Sequence, residues 1–262
     1  MKAVERELKN IEKAERRMYL RAEKYAEPVW RRNLEEKIPE KVLTGLQKAF
    51  SKVFILLFEN GAAVIEKTFD RECLEKEFQI KDYALDLKGG RKEVRRLKRD
   101  AAGSSAAAAL FTAVEGIGLG VLGIGLPDIL IWVGILLRGV YETALKYGFD
   151  YESPAERRFI LKMMEASMAA GGRWITVNAE VDRYLRQGSH APVSEAQLKE
   201  QIEKTADAFA ADLLVLKFIQ GIPVVGMIGG AANPLYYQRV MKYVQLKYRK
   251  RYLLSKVVGH LF

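Results

Sequence analysis

From Ala101 to Leu137 the chain is apolar and rich in small residues, and only Glu115 and Asp128 carry charge within that stretch. A membrane-spanning helix needs about 20 apolar residues. Ala101 to Leu122 barely reaches that and contains Glu115, while Pro127 to Leu137 is shorter. A carboxylate inside a bilayer is costly. The segment therefore reads as a helical hairpin, buried or shallowly inserted rather than crossing a membrane twice. It divides between Gly123 and Pro127, and its second arm runs to Lys146.

Glycines crowd the same stretch. Gly118, Gly120 and Gly123 match a dinucleotide fingerprint on spacing, but that motif needs a preceding strand and a following helix. The alanine-rich residues before it read as helix, and Pro127 follows too soon. Close packing is the better account, because glycine lets another backbone approach. Gly226, Gly229 and Gly230 in the shorter apolar segment Gly221 to Pro234 read the same way.

Two carboxylates in such surroundings need a reason, because a buried charge must be paired, capped or protonated. Asp128 directly follows Pro127 and suits a helix start, where first-turn N–H groups and the helix dipole favour an anion. Glu115 has the structural reading of an ion pair. A functional carboxylate is the rival reading for both, and Asp150 joins them as a third candidate.

A basic run, Lys88 to Arg99, stands before the long apolar stretch, and a second, Arg239 to Lys256, follows the shorter one. Lys88 to Arg99 holds one acid, Glu93, and no acid at all follows Arg239. The net charge of +10 favours an anionic partner: a phospholipid surface, nucleic acid or an acidic protein. Arg91, Lys92, Arg95, Arg96, Lys98, Arg99, Lys242, Lys247, Arg249, Lys250 and Arg251 are the candidate contacts. Tyr236, Tyr237, Tyr243, Tyr248 and Tyr252 lie among the later cations, a mixture that suits a membrane interface or stacked bases. The plain alternative is an amphipathic helix whose Tyr237, Val240, Met241, Val244 and Tyr248 pack inward.

The periodicity is helical nearly throughout. Val4, Leu8, Ile11 and Met18 share one side of a charged first helix. Val42, Leu46, Phe50, Val53 and Leu57 stripe a second, with Pro39 in its first turn. A third spans Asp70 to Asp86 and breaks at Gly89-Gly90. Ser153-Pro154-Ala155-Glu156 is a capping box, in which Ser153 accepts from the Glu156 N–H and Glu156 reaches back. Ser194 with Gln197 is a weaker version, and Asn233-Pro234 is another start. The expected architecture is one all-α domain of roughly nine helices around the glycine-rich hairpin. Residues 1–35 form a charged amphipathic region ahead of a 36–257 domain.

With 49% hydrophobic and 29% charged residues the chain is neither a polytopic membrane protein nor disordered. Cys73 is the single cysteine, which suits a reducing compartment, and no apolar leader opens the sequence. The expected location is cytoplasmic, peripheral to the membrane. His190 and His260 are the two histidines, so a histidine-based triad or a multi-histidine metal site has no residues to build it. Acids on either side of Cys73 argue against a thiolate nucleophile. No cofactor and no metal are expected.

Several segments in order resemble the bacterial EcsC family. They are Lys37-Ile-Pro-Glu-Lys-Val42, Gly118-Leu-Gly-Val-Leu-Gly123 with Asp128, Lys146-Tyr-Gly-Phe-Asp150, and Ile222-Pro-Val-Val-Gly226 with Gly229-Gly230 and Asn233. The resemblance runs from about Glu36 to Leu254. It marks Asp128, Tyr147, Gly148, Asp150, Gly226 and Asn233, and it implies an association with an ABC transporter, whose subunits are encoded beside the naming member. It supplies no catalytic residue. The expected function is that of a non-enzymatic accessory protein on the cytoplasmic face, engaging anionic lipid or a membrane-protein partner. Alternatives are a carboxylate-dependent hydrolase using Asp128 and Asp150, and a nucleic-acid-binding protein.

Overall fold

Helix signals in the sequence become helix ends in the structure. The fold is described from a computed structural model that places residues 2–29, 38–99, 126–187, 192–219 and 232–258. Among these are ten α-helices and no strand. They are α1 (Lys2–Glu23), α2 (Glu40–Leu56), α3 (Ala62–Glu66), α4 (Arg71–Lys88), α5 (Arg91–Arg99), α6 (Leu126–Lys146), α7 (Pro154–Met168), α8 (Gly171–Gln187), α9 (Glu195–Ile219) and α10 (Ala232–Val258). A π-helical turn, Leu57–Gly61, joins α2 to α3.

The Asp70 carboxylate starts α4 by accepting from the Cys73 N–H at 2.9 Å. Gly89 ends it in the left-handed region at φ 55°, donating to the Leu85 carbonyl. Pro39 sits one residue before α2 rather than inside its first turn. The Ser194–Gln197 box closes in both directions, at 3.2 and 3.0 Å. The Ser153 box makes only its first half, from the Glu156 N–H at 3.2 Å. The Glu156 carboxylate is drawn elsewhere, as shown below.

α9 packs on α2 and α7, while α10 packs on α6, α7 and α1. An aromatic cluster locks α2, α6 and α9 together. Trp132 lies 5.4 Å from Phe209 and 5.9 Å from Phe50, and Phe54 meets Phe209 at 5.9 Å, all centroid to centroid. Such edge-on pairs contribute about 0.5–1.5 kcal/mol each beyond their burial.

α6 is the second arm of the expected hairpin and lies in the core. Leu130, Val133, Leu136, Leu137, Val140 and Ala144 are fully buried. Its later turns carry a charge ladder, Arg138–Glu142 at 3.0 Å and Glu142–Lys146 at 3.5 Å. Among the described residues no helix is long and apolar enough to cross a membrane. The first arm, with Glu115, Gly118, Gly120 and Gly123, lies outside the described residues, as do Gly226, Gly229 and Gly230.

Two glycines within the described fold have steric reasons. At Gly139 a Cβ would sit 2.6 Å from the Tyr237 hydroxyl and 3.0 Å from Met241 Sδ, so α6 and α10 touch there. Gly148, at φ +77°, turns the chain out of α6, and the Phe78 ring lies where its side chain would be.

Candidate anion-binding site

α5 has nine residues, Arg-Lys-Glu-Val-Arg-Arg-Leu-Lys-Arg. Its two apolar side chains, Val94 and Leu97, are buried, so the cations are left to the two flanks. Positions three and four apart share a helix face. On one flank, Arg91, Arg95 and Lys98 line a cleft of about 250 Å³ with Ala3, Arg6, Glu7 and Asn10 of α1. On the other, Lys92 and Arg96 line a groove of about 340 Å³ with Glu77, Ile80, Lys81, Ala84 and Lys88 of α4.

Lys98 also borders a third opening, a cleft of about 640 Å³ built by α10 and the end of α6. Among the described residues its lining holds three cations, Lys98, Lys242 and Arg249, and no acid. Thus the two basic runs, far apart in sequence, meet around Lys98. Glu7 of α1 is the nearby acid, 3.5 Å from Arg249 and 3.9 Å from Lys98. Five sequence candidates are brought together here: Arg91, Arg95, Lys98, Lys242 and Arg249. Arg6 joins them and was missed, because in α1 it stands in an evenly mixed run of acids and bases.

The other candidates from the C-terminal run must be corrected. Lys247 has no exposed surface and pairs with Glu15 at 2.7 Å and Asp182 at 2.9 Å. Lys250 bridges the same two acids at 2.7 and 3.0 Å. Burial would raise the Asp182 carboxyl, but the Lys247 and Lys250 ammonium groups outweigh it and its pKa is lowered. Arg251 pairs with Glu156 at 2.7 Å, and the Glu156 residue is 2% exposed. The Tyr248 hydroxyl donates to the same carboxylate at 2.7 Å, and burial, with Glu156 beside it, pushes its pKa well up. These cations are engaged by acids of α1, α7 and α8: Lys247 is wholly buried, and Lys250 and Arg251 are half-buried and already paired. Of the inward stripe on this helix, Val240, Val244 and Tyr248 are fully buried, Met241 is buried and Tyr237 is half-buried; Tyr243 and Tyr252 are buried as well.

The carboxylate candidates do not share a site. Asp128 falls in the first turn of α6, and its side chain lies outside what is described. Asp150 follows the other end of that helix. At 1.5 Å per residue α6 alone carries its end at Lys146 about 27 Å from Asp128, against the about 5–9.5 Å that separates paired catalytic carboxylates. The Asp150 side chain lies 3.4 Å from Arg71 and accepts from the Glu152 N–H at 3.1 Å. Arg71 also binds Glu66, Glu75 and Glu152, which ties α4 to the loop after α6. Among the described residues no group of histidine, cysteine or acidic side chains could hold a metal ion, and Cys73 is exposed.

The EcsC protein family model matches residues 2–253. The chain belongs to the EcsC protein family. That match takes in α1 as well as the segments that carry the resemblance. Neither a curated protein nor a solved structure matches this EcsC protein.

Proposed function

We propose that this EcsC protein is a non-enzymatic accessory protein that binds the anionic surface of a membrane, peripherally and from the cytoplasmic side, through its α4–α5 face. One observation carries the reading. Ile80, Tyr83 and Leu87 stand at i, i+3 and i+7 of α4 and are 68%, 69% and 67% exposed. They form an apolar stripe on the outside of a helix, beside the groove edged by Lys88, Lys92 and Arg96. An exposed apolar stripe rimmed by cations is the pattern of a helix lying in a lipid interface, with tyrosine at headgroup level. Each cation near an anionic leaflet contributes about 1 kcal/mol, screened by salt. The ABC-transporter association that the family resemblance implies would put a membrane-protein partner in the same plane.

The test is sedimentation with vesicles. Binding should rise with phosphatidylserine content and fall with salt. Leu87→Asp should weaken it through the apolar stripe, and Lys92→Glu with Arg96→Glu should weaken it at least tenfold. Equal binding to phosphatidylcholine vesicles, or an unaffected Leu87→Asp, would overturn the reading. Tighter binding to duplex DNA than to vesicles at the same salt would replace it with nucleic-acid binding.

A further inference from the structure

The cleft at the end of α6 is chemically one-sided. Its walls are Tyr147, Tyr237, Met241 and Leu246, with Ala14 of α1 opposite. Tyr147, Met241 and Leu246 are buried members of the core, so this apolar wall is rigid. Lys98, Lys242 and Arg249 share this lining, and no carboxylate joins them among the described residues. Apart from Gln238, Gln245 and the two phenols, its polar side chains only donate. A peptide, which brings N–H donors of its own along its whole length, would find few acceptors there.

A second, independent observation comes from the junction with the α1–α5 cleft. Arg249 Nε and Glu7 Oε1 are both buried, and neither has a hydrogen-bond partner. The 3.5 Å approach to Glu7 is made by Arg249 Nη1 and leaves Nε without a partner among the described residues. A buried donor left unmade is unfavourable, and native structures rarely keep one without a reason. Arg249 therefore brings to the cleft lining a guanidinium whose hydrogen-bonding capacity is not used up by the fold. The Tyr147 phenol, pushed up to about 12 by burial, keeps its proton at neutral pH and adds a neutral donor to the lining.

We propose that this cleft binds one molecule of a single-chain anionic amphiphile. Its oxyanion headgroup would lie among Arg249, Lys98 and Lys242, and its acyl chain along Tyr147, Tyr237, Met241 and Leu246. The volume of about 640 Å³ falls within the usual range of small-molecule sites, about 300–1,000 Å³. Charge complementarity selects the head: the described lining holds three cations, and the one acid near them, Glu7, offsets only part of their charge. The apolar wall selects the tail. The site goes beyond the membrane-surface reading: Ile80, Tyr83 and Leu87 are not part of it, so either can fail without the other.

The experiment is calorimetric titration of the full chain with 1-oleoyl-lysophosphatidate, kept below its micelle concentration. Binding should saturate at one molecule per chain. Lysophosphatidylcholine, with the same tail and a zwitterionic head, should bind at least tenfold more weakly, and glycerol 3-phosphate, the head without the tail, should not saturate. Oleate tests whether a carboxylate serves as well as a phosphate: saturation would widen the class to any oxyanion, and its failure beside saturation by lysophosphatidate would narrow it to phosphomonoesters. Two variants probe the walls from exposed positions that the fold does not need. Lys242→Glu should lower lysophosphatidate affinity about tenfold, and Gln238→Trp should fill the cleft and abolish binding. Thermal melts equal to wild type would show that both still fold. Uptake of many molecules per chain, equal binding of lysophosphatidylcholine, or unchanged affinity in Gln238→Trp would overturn the proposal. Gln238→Trp should leave vesicle sedimentation as it was, which separates this site from the α4–α5 face.

Discussion

The Lys247 ammonium lies 2.9 Å from the Asp182 carboxylate, at the end of a lysine side chain that reaches no solvent. Glu15 and Lys250 complete a set of two cations and two acids drawn from α1, α8 and α10. Asn178 adds a polar partner by accepting from the Tyr243 hydroxyl at 2.7 Å. Burying a charge costs several kcal/mol, and good pairing offsets that only while the partners remain.

Asp182→Ala should therefore destabilise by about 3 kcal/mol, the lower end for a broken buried pair because Glu15 remains. Lys247→Met removes the buried charge itself and should be milder. Adding Lys247→Met to Asp182→Ala should recover part of the loss. Chemical denaturation of the three variants measures this, and strictly additive losses would show that the pair is not coupled.

The same set governs acid stability. The Asp182 pKa is lowered in the fold, and so is that of Glu180, which burial raises but Lys162 outweighs. A depressed folded value means stability that is present above the unfolded value of about 3.9 and is lost as pH falls through the folded one. Unfolding should set in below about pH 4. Asp182→Asn should show a shallower acid limb in melts taken across that range.

The alkaline side has the opposite sign. Burial raises Tyr147 to about 12, and it raises Tyr243, Tyr248 and Tyr252 as well. A raised folded value gives stability that is full below about 10 and is lost as pH rises through the folded values. Tyrosinate absorbance should appear together with loss of helical circular dichroism. A large early titration in the folded state would contradict the burial of these rings.

At the start of α7 two substitutions separate the cap from the ion pair. Ser153→Ala removes only the cap and should cost about 1 kcal/mol. Glu156→Ala removes the buried carboxylate that Arg251 and the Tyr248 hydroxyl share, beside the Phe149 and Phe159 rings, and should cost about 3–5 kcal/mol. Equal losses would return Glu156 to the capping role.

At the helix contact, Gly139→Leu should destabilise by about 1–3 kcal/mol through overpacking against Tyr237 and Met241. Gly148→Ala meets both a positive φ and the Phe78 ring, so it should also melt lower. An unchanged melting temperature in Gly139→Leu would mean that α10 can shift outward at no cost.

What the chain shows in one dimension is local. Asp70, Gly89, Ser153 and Ser194 act on backbone groups within four residues, so the helix ends they mark are legible. The weaker box at Ser194 closes fully, with the Gln197 side chain held to the Ser194 N–H. Glu156 has a distant partner, and its half of the Ser153 box is lost. The same blindness to distance misplaces the C-terminal cations. A run without acids looks solvated, yet Lys247 finds its acids 65 and 232 positions away and Arg251 finds Glu156 across 95. The cationic flanks of α5 were visible, because its own residues supply them. The convergence on Lys98 was not, since it depends on α1 and α10 arriving beside α5.

The link between Glu15 and Lys247 spans 232 positions, and it sets an order on biogenesis. α10 emerges last of the described helices, and α1, α6 and α7 all pack on it. Until it leaves the ribosome, Glu15, Asp182 and Glu156 have no cations and the inner faces of three earlier helices have no cover. Contacts of such long separation form slowly, and a nascent chain in that state exposes the surfaces that chaperones recognise. Stalling synthesis before Ala232 should leave a protease-sensitive chain, and release of the final helix should close it in one step.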